Sequence, residues 1–181
     1  MSTARVLGIV GWSGSGKTSL ITRIIPLLAH RGLRVATVKH AHHAFDVDQP
    51  GKDSYEHRKA GACEVIISSA RRWVQMHELG DSPEATLAEL LRKVFPCDLV
   101  LVEGFKSGRH PKLEVYRSAL GKSALYLTDA RVIGVASDSA APTAAVPVVD
   151  LNDIAAVARF VQEHAQPIAQ VIAALEAPSA P

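Results

Sequence analysis

Cysteine is scarce in this chain. Cys63 and Cys97 are the only two among 181 residues, they lack metal-ligand spacing, and such usage suits a reducing compartment. No charged-then-apolar leader precedes the first strand pattern at residue 5, so no secretory leader is expected. No uncharged apolar run approaches the ~18 residues that cross a bilayer, so no membrane span is expected. Charge of one sign is also lacking. The formal net charge of +2 is too small to argue for nucleic acid or a membrane surface. The cytoplasm is the expected location. What the chain does have is apolar content, 48% of its residues, enough for a real core. With no internal repeat and no dividing linker, residues 1–176 read as one domain and 177–181 as a frayed tail.

The stretch Gly11-Trp12-Ser13-Gly14-Ser15-Gly16-Lys17-Thr18 matches G-x-x-x-x-G-K-[ST] at every defined position. Glycines let the backbone wrap an anion without Cβ clashes. The wrapped N–H groups and the following helix N-terminus then cradle phosphate oxygens. Lys17 reaches toward β/γ-phosphates and the Thr18 hydroxyl toward Mg²⁺. Context supports the motif. Arg5–Val10 reads as an apolar strand, and Leu20, Ile21, Ile24, Leu27 and Leu28 recur at helical spacing. A helix over 17–30 should be kinked by Pro26 and capped by Gly32. Leu33–Val38 reads as a strand parallel to the first.

The segment Lys39–Ser54 leaves that strand at the end where open parallel sheets bind ligands. It holds His40, His42, His43, Asp46, Asp48, Lys52 and Asp53. Three readings compete: a loop ordering around nucleotide, Mg²⁺ or a second anion; a transition-metal site from the histidines and a carboxylate; or a solvated loop. Asp53 or Ser54 can cap a short helix ended by Gly61. Arg58 lies one turn from Ser54, placed either to contact phosphate or to be solvated. Residues 63–68 and 71–77 read as two antiparallel strands, because Ser69-Ala70 is too short for a crossover. Trp73 and Val74 are their expected packing residues, with Trp73 in the core or an interface. Ser82-Pro83-Glu84 signals a helix start, with Leu87, Leu90, Leu91 and Val94 as its buried stripe.

Asp98-Leu-Val-Leu-Val-Glu103 reads as a strand buried on both faces. Its two acids lie roughly 16 Å apart when extended, so they cannot share a site. If the strand runs parallel to the first, only Glu103 borders the phosphate loop. Glu103 is therefore the candidate metal-side carboxylate, with Thr18, the alternative being a loop cap. Residues 105–112 form a basic turn that either lies over the ligand or is solvated. Strands are expected at 113–116, 131–136 and 147–149. Asp150 or Asn152 should cap a helix carrying Ile154, Val157, Phe160 and Val161, and a further helical segment follows Pro167.

V-K-H-x-H-H at 38–43, D-V-D-x-P-G-K-D-S at 46–54, R-K-A-G-A at 58–62, R-W at 72–73, L-V-L-V-E-G-F-K at 99–106 and V-A-S-D at 135–138 together resemble the MobB family of molybdopterin-guanine dinucleotide biosynthesis adaptors. The resemblance runs from about residue 7 to about 164. It implies an α/β phosphate-loop NTPase-type three-layer fold, a mostly parallel sheet with an antiparallel extension, and a homodimer. It also implies GTP and Mg²⁺ as cofactors, with at most slow hydrolysis. The implied role supports a separate guanylyltransferase that attaches GMP to molybdenum-bound molybdopterin, to which the family presents GTP or cofactor. On this resemblance Gly11–Thr18 hold the phosphates, with Glu103 and the Lys39–Ser54 loop, including Lys39, His40, His43 and Asp53, beside them; Arg58 is a further candidate from its place one turn beyond Ser54.

The residues themselves assign no catalytic group. Asn-Lys-x-Asp, the usual guanine-reading signature, is absent, and Asp138 is the one carboxylate placed to contact a base. A second class stays open, a small-molecule kinase or stand-alone NTPase. Arg109 and Arg117 would then belong to a lid, and Asp53 or His43 would position water.

Overall fold

Alternation along the strands decides which helix each residue meets. In the computed structural model, which describes residues 4–41, 45–139 and 145–178, β1 (Arg5–Val10) turns Leu7 and Ile9 to one face and Val6 to the other. Likewise β5 (Leu99–Glu103) turns Leu99 and Leu101 one way, Val100 and Val102 the other. The first face packs on α1 (Lys17–His30) and α4 (Ile154–His164), the second on α3 (Leu87–Lys93) and α5 (Ile168–Glu176). A sheet covered on both faces explains why β5 reads as a continuous apolar run.

Outside β5 lies β2 (Val35–Lys39), and beyond β1 lie β6 (Lys112–Tyr116), β7 (Val132–Ser137) and β8 (Val148–Asp150) in turn. The order is β2-β5-β1-β6-β7-β8, all parallel. β9 (Gln166–Pro167) pairs antiparallel with Arg5 and Val6, on the edge of β1 below the point where β6 begins at Gly8. The three layers and the mostly parallel sheet match the sequence expectation.

By contact the chain forms two compact units, residues 1–40 with 86–181, and residues 41–85. The second holds α2 (Asp53–Lys59), β3 (Glu64–Ser68) and β4 (Trp73–His77), the strands antiparallel as expected. They form their own two-stranded sheet, and the antiparallel strand of the main sheet is β9. Trp73 (49% exposed) and Val74 (38%) are not core residues. A lone hairpin has too little cover to bury both faces.

Helix boundaries show which local signal wins. α1 runs through Pro26 and ends as expected at Gly32, whose φ of 84° lets Leu33 N–H reach the Leu28 carbonyl and Gly32 N–H the Ala29 carbonyl. α3 starts later than Ser82-Pro83-Glu84 suggests, at a reciprocal Thr86–Glu89 capping box. Its buried residues are Leu87, Ala88 and Leu91, with Leu90 and Val94 only partly covered. α4 is capped by Asp153 accepting from Ala156 N–H, because Asp150 is occupied by Asn152. Lys52, not Asp53 or Ser54, stands at the N-cap of α2, and Ser54 donates instead to Asp48.

Candidate functional site

Parallel strands deliver their C-terminal ends to one edge, and four charged residues arrive there beside the loop that follows β1. Lys39 ends β2, Glu103 ends β5, Arg117 follows β6 and Asp138 follows β7. Because β1 lies between β5 and β6, the loop Gly11–Thr18 has an acid on one flank and an arginine on the other.

The loop is held by its own glycines. Gly11, Gly14 and Gly16 have φ of 147°, 81° and 96°, a region that side chains with a Cβ rarely adopt. A Cβ on Gly11 would also stand 2.5 Å from the Val115 carbonyl and 2.7 Å from Ser15 Oγ. Ser15 Oγ is buried with no hydrogen-bond partner among the described residues, a polar atom turned into the loop that a phosphate oxygen would satisfy. Lys17 Nζ folds back to donate to the Gly11 and Trp12 carbonyls. Burial lowers its pKa, with Lys106 and then Lys39 adding to the shift and Glu103 opposing it. An anion in the loop would relieve that crowding.

On the β5 flank, Thr18 Oγ1 donates to Glu103 Oε1 at 2.7 Å, and Lys39 Nζ stands 3.3 Å from the same oxygen. Hydroxyl and carboxylate side by side are hard oxygen donors of the kind Mg²⁺ takes together with phosphate, so the residues present fit that ion. Asp98 lies at the opposite end of β5, paired with Arg34, as the length of the strand requires. Immediately after Glu103 the chain turns through Gly104 (φ 89°) and Phe105 (φ 51°). Phe105 is the sole non-glycine at positive φ among the described residues, and its ring sits 4.9 Å from that of His40. His40 N–H donates to the Glu103 carbonyl at 3.0 Å, so the start of the Lys39–Ser54 segment is stitched to the acid.

The basic turn after β5 divides. Lys106 Nζ stands 4.4 Å over the Trp12 ring, on the phosphate loop. Arg109 instead donates to the carbonyls of Ala177 and Pro178, which removes it from any lid. On the β6 flank, Arg117 Nε donates to the Ser15 carbonyl at 3.0 Å and Nη1 pairs with Asp138. Ser123 accepts from Trp12 Nε1 at 2.7 Å. Residues 117–129 carry no clear strand or helix periodicity. The rule that picked Glu103, the C-terminal end of a strand next to β1, also picks Arg117 once β6 is known to be that neighbour.

In the second unit, Arg58 is held by Asp46 (2.9 Å), Asp48 (3.4 Å) and Glu78 (2.6 Å). Its pKa is raised by the hydrogen bonds it donates to Asp46, then to Glu78, while the Arg58 bond holds the Asp46 carboxyl below its usual value. Asp46, Arg58 and Glu78, with Tyr55, Lys59 and Cys63, line a cavity of about 490 Å³. Asp53 is the first, exposed residue of α2. His42 and His43 lie outside the described residues, among which no cluster of three metal-ligating side chains occurs.

The family profile described as "Molybdopterin guanine dinucleotide synthesis protein B" (MobB) matches residues 6–138. The chain is 43% identical to the molybdopterin-guanine dinucleotide biosynthesis adapter protein of Escherichia coli (strain K12), over 89% of this chain and 93% of that one. It is 38% identical to the protein of the same name from Haemophilus influenzae, over 87% of each. Its fold is similar to a crystal structure of molybdopterin-guanine biosynthesis protein B, with a TM-score of 0.64 and 27% identity, over 87% of this chain and 98% of that chain. With a profile spanning well over half its length and a close relative along nearly all of it, the chain belongs to the MobB family.

Proposed function

We propose that this chain is a GTP-binding adaptor in the biosynthesis of molybdopterin guanine dinucleotide, acting through a partner guanylyltransferase and hydrolysing GTP at most slowly. The observation that carries the nucleotide part is the Thr18–Glu103 contact of 2.7 Å beside a glycine loop with an unpartnered buried hydroxyl at Ser15. The names of the relatives carry the pathway.

In this reading the N–H groups of Gly11–Thr18 take the phosphate oxygens, and Lys17 leaves the Gly11 and Trp12 carbonyls for the phosphates. Thr18 and Glu103 would hold Mg²⁺, which supplies charge neutralisation at the phosphates. Lys39 and His40 continue the site along the edge, and His43 and Asp53 belong to it through the 39–54 loop. Arg58 joins only by giving up carboxylates it already holds. Molybdopterin, or its guanine dinucleotide, is the second ligand of that loop. The protein works in the cytoplasm as a homodimer, and the exposed Ile66, Ile67, Trp73 and Val74 are the apolar surface such a dimer would cover.

The test is reconstitution. Addition of this protein to a guanylyltransferase with GTP and molybdenum-bound molybdopterin should raise product yield, and the Lys17→Ala variant should not. An equal rise with the variant would separate the adaptor role from nucleotide binding.

A further inference from the structure

Resting on that nucleotide reading, we propose that Arg117 is the triphosphate-sensing residue of the site, moving from Asp138 onto phosphate oxygens when a nucleoside triphosphate fills the loop.

The loop is clasped along its length by the segment that begins at Arg117. Arg117 Nε holds the Ser15 carbonyl, and its guanidinium nitrogens stand 3.7 and 3.8 Å from the Cβ position of Gly16. Leu120 lies 3.8 Å from the corresponding position on Gly14, and Ser123 holds the Trp12 indole. The guanidinium is therefore already on the loop, bound to backbone that itself contacts phosphate. Its carboxylate partner among the described residues, Asp138, is 27% exposed, and the arginine side chain 36%. An ion pair at that exposure is weak. A polyphosphate offers the planar fork several charged oxygens at once and competes well for it.

The movement has a route outward. Ser118 Oγ accepts from Ser139 Oγ at 3.1 Å, and Ser139 N–H donates to Ser137 Oγ. A shift of Arg117 is thus felt at the ends of both β6 and β7, where Asp138 becomes an unpaired carboxylate. Asp138 is on this account a latch for the arginine and not the group that reads guanine.

The chain has two tryptophans, so Trp73→Phe leaves Trp12, which lies in the loop, as a fluorescence reporter. In that background GTP, GDP and GMP are titrated into the wild-type loop and into Arg117→Gln, Arg117→Lys and Asp138→Asn. Arg117→Gln should weaken GTP about ten- to hundredfold and GMP less than about threefold. Arg117→Lys, which keeps the charge and loses the fork, should recover only part of the loss. Asp138→Asn should tighten GTP several-fold. Equal losses for GTP and GMP with Arg117→Gln would make the residue a structural clasp and overturn the proposal. So would weaker GTP binding in Asp138→Asn with inosine triphosphate unaffected, which would make Asp138 a base reader. Absence of any nucleotide binding by the parent protein would remove the nucleotide reading itself.

Discussion

The two ends of the parallel sheet use the same residue types to opposite effect. At the N-terminal ends Arg34 pairs with Asp98, and Lys112, 1% exposed, pairs with Asp129 at 2.7 Å. Both of these bases have an acid of their own. At the C-terminal ends Lys17, Lys39, Lys106 and Arg117 gather around the glycine loop, where Glu103 pairs with Lys39 and Asp138 with Arg117. Balanced pairs hold a fold together, whereas uncompensated cations around a glycine loop wait for an anion. Function should therefore fail at one end and stability at the other.

The sharpest contrast comes from Lys17→Ala. It should cut nucleotide affinity at least about a hundredfold and leave the melting temperature unchanged, as calorimetric titration and thermal unfolding of one preparation would read. An equal loss of stability would erase the distinction between the two ends. Glu103→Gln should weaken GTP about tenfold with Mg²⁺ present and less than about threefold without it. Equal losses in both conditions would make Glu103 a structural cap of the loop it precedes.

The opposite end answers to pH. His110 is fully buried, with neither ring nitrogen partnered among the described residues, and a Cβ on Gly8 would lie 2.4 Å from its Nε2. Burial, and then Lys112, push its pKa down to about 3. The unfolded chain therefore takes up a proton near pH ~6.5 that the folded chain refuses until about pH 3. Between those values the unfolded state binds more protons, so stability is full above the upper value and falls as pH drops, by at most about 1.4 kcal/mol per unit. Denaturant unfolding from pH 7 to 5 should show that slope, and His110→Gln should flatten it. Smallest of all, Arg34→Ala should lower the melting temperature slightly and leave GTP affinity alone, since an exposed pair contributes little.

What the sequence disclosed followed from local rules. The loop between β1 and α1 is one contiguous pattern, and β5 is apolar on both faces, so strand, loop, helix and second strand could be placed without knowing their neighbours. Glu103 was separable from Asp98 because strand length alone keeps them apart. Arg117 was not, because its position depends on β6 lying beside β1, and strand order is a long-range fact. The start of α3 was misplaced because Ser82-Pro83-Glu84 and Thr86…Glu89 are both start signals, and only the latter closes a reciprocal cap. Trp73 and Val74 read as packing residues, Trp73 in the core or an interface, and are not core, because an apolar strand does not say what covers it. Arg58 could be put on the loop side of α2, but its three carboxylate partners come from residues 46, 48 and 78, which no spacing rule joins.

The most direct measurement is a calorimetric titration of the protein with GTP and with ATP, with and without Mg²⁺, while turnover is followed. The account predicts a clear preference for Mg²⁺-bound GTP and little hydrolysis without a partner. Equal affinity for ATP, or fast turnover by the protein alone, would contradict it.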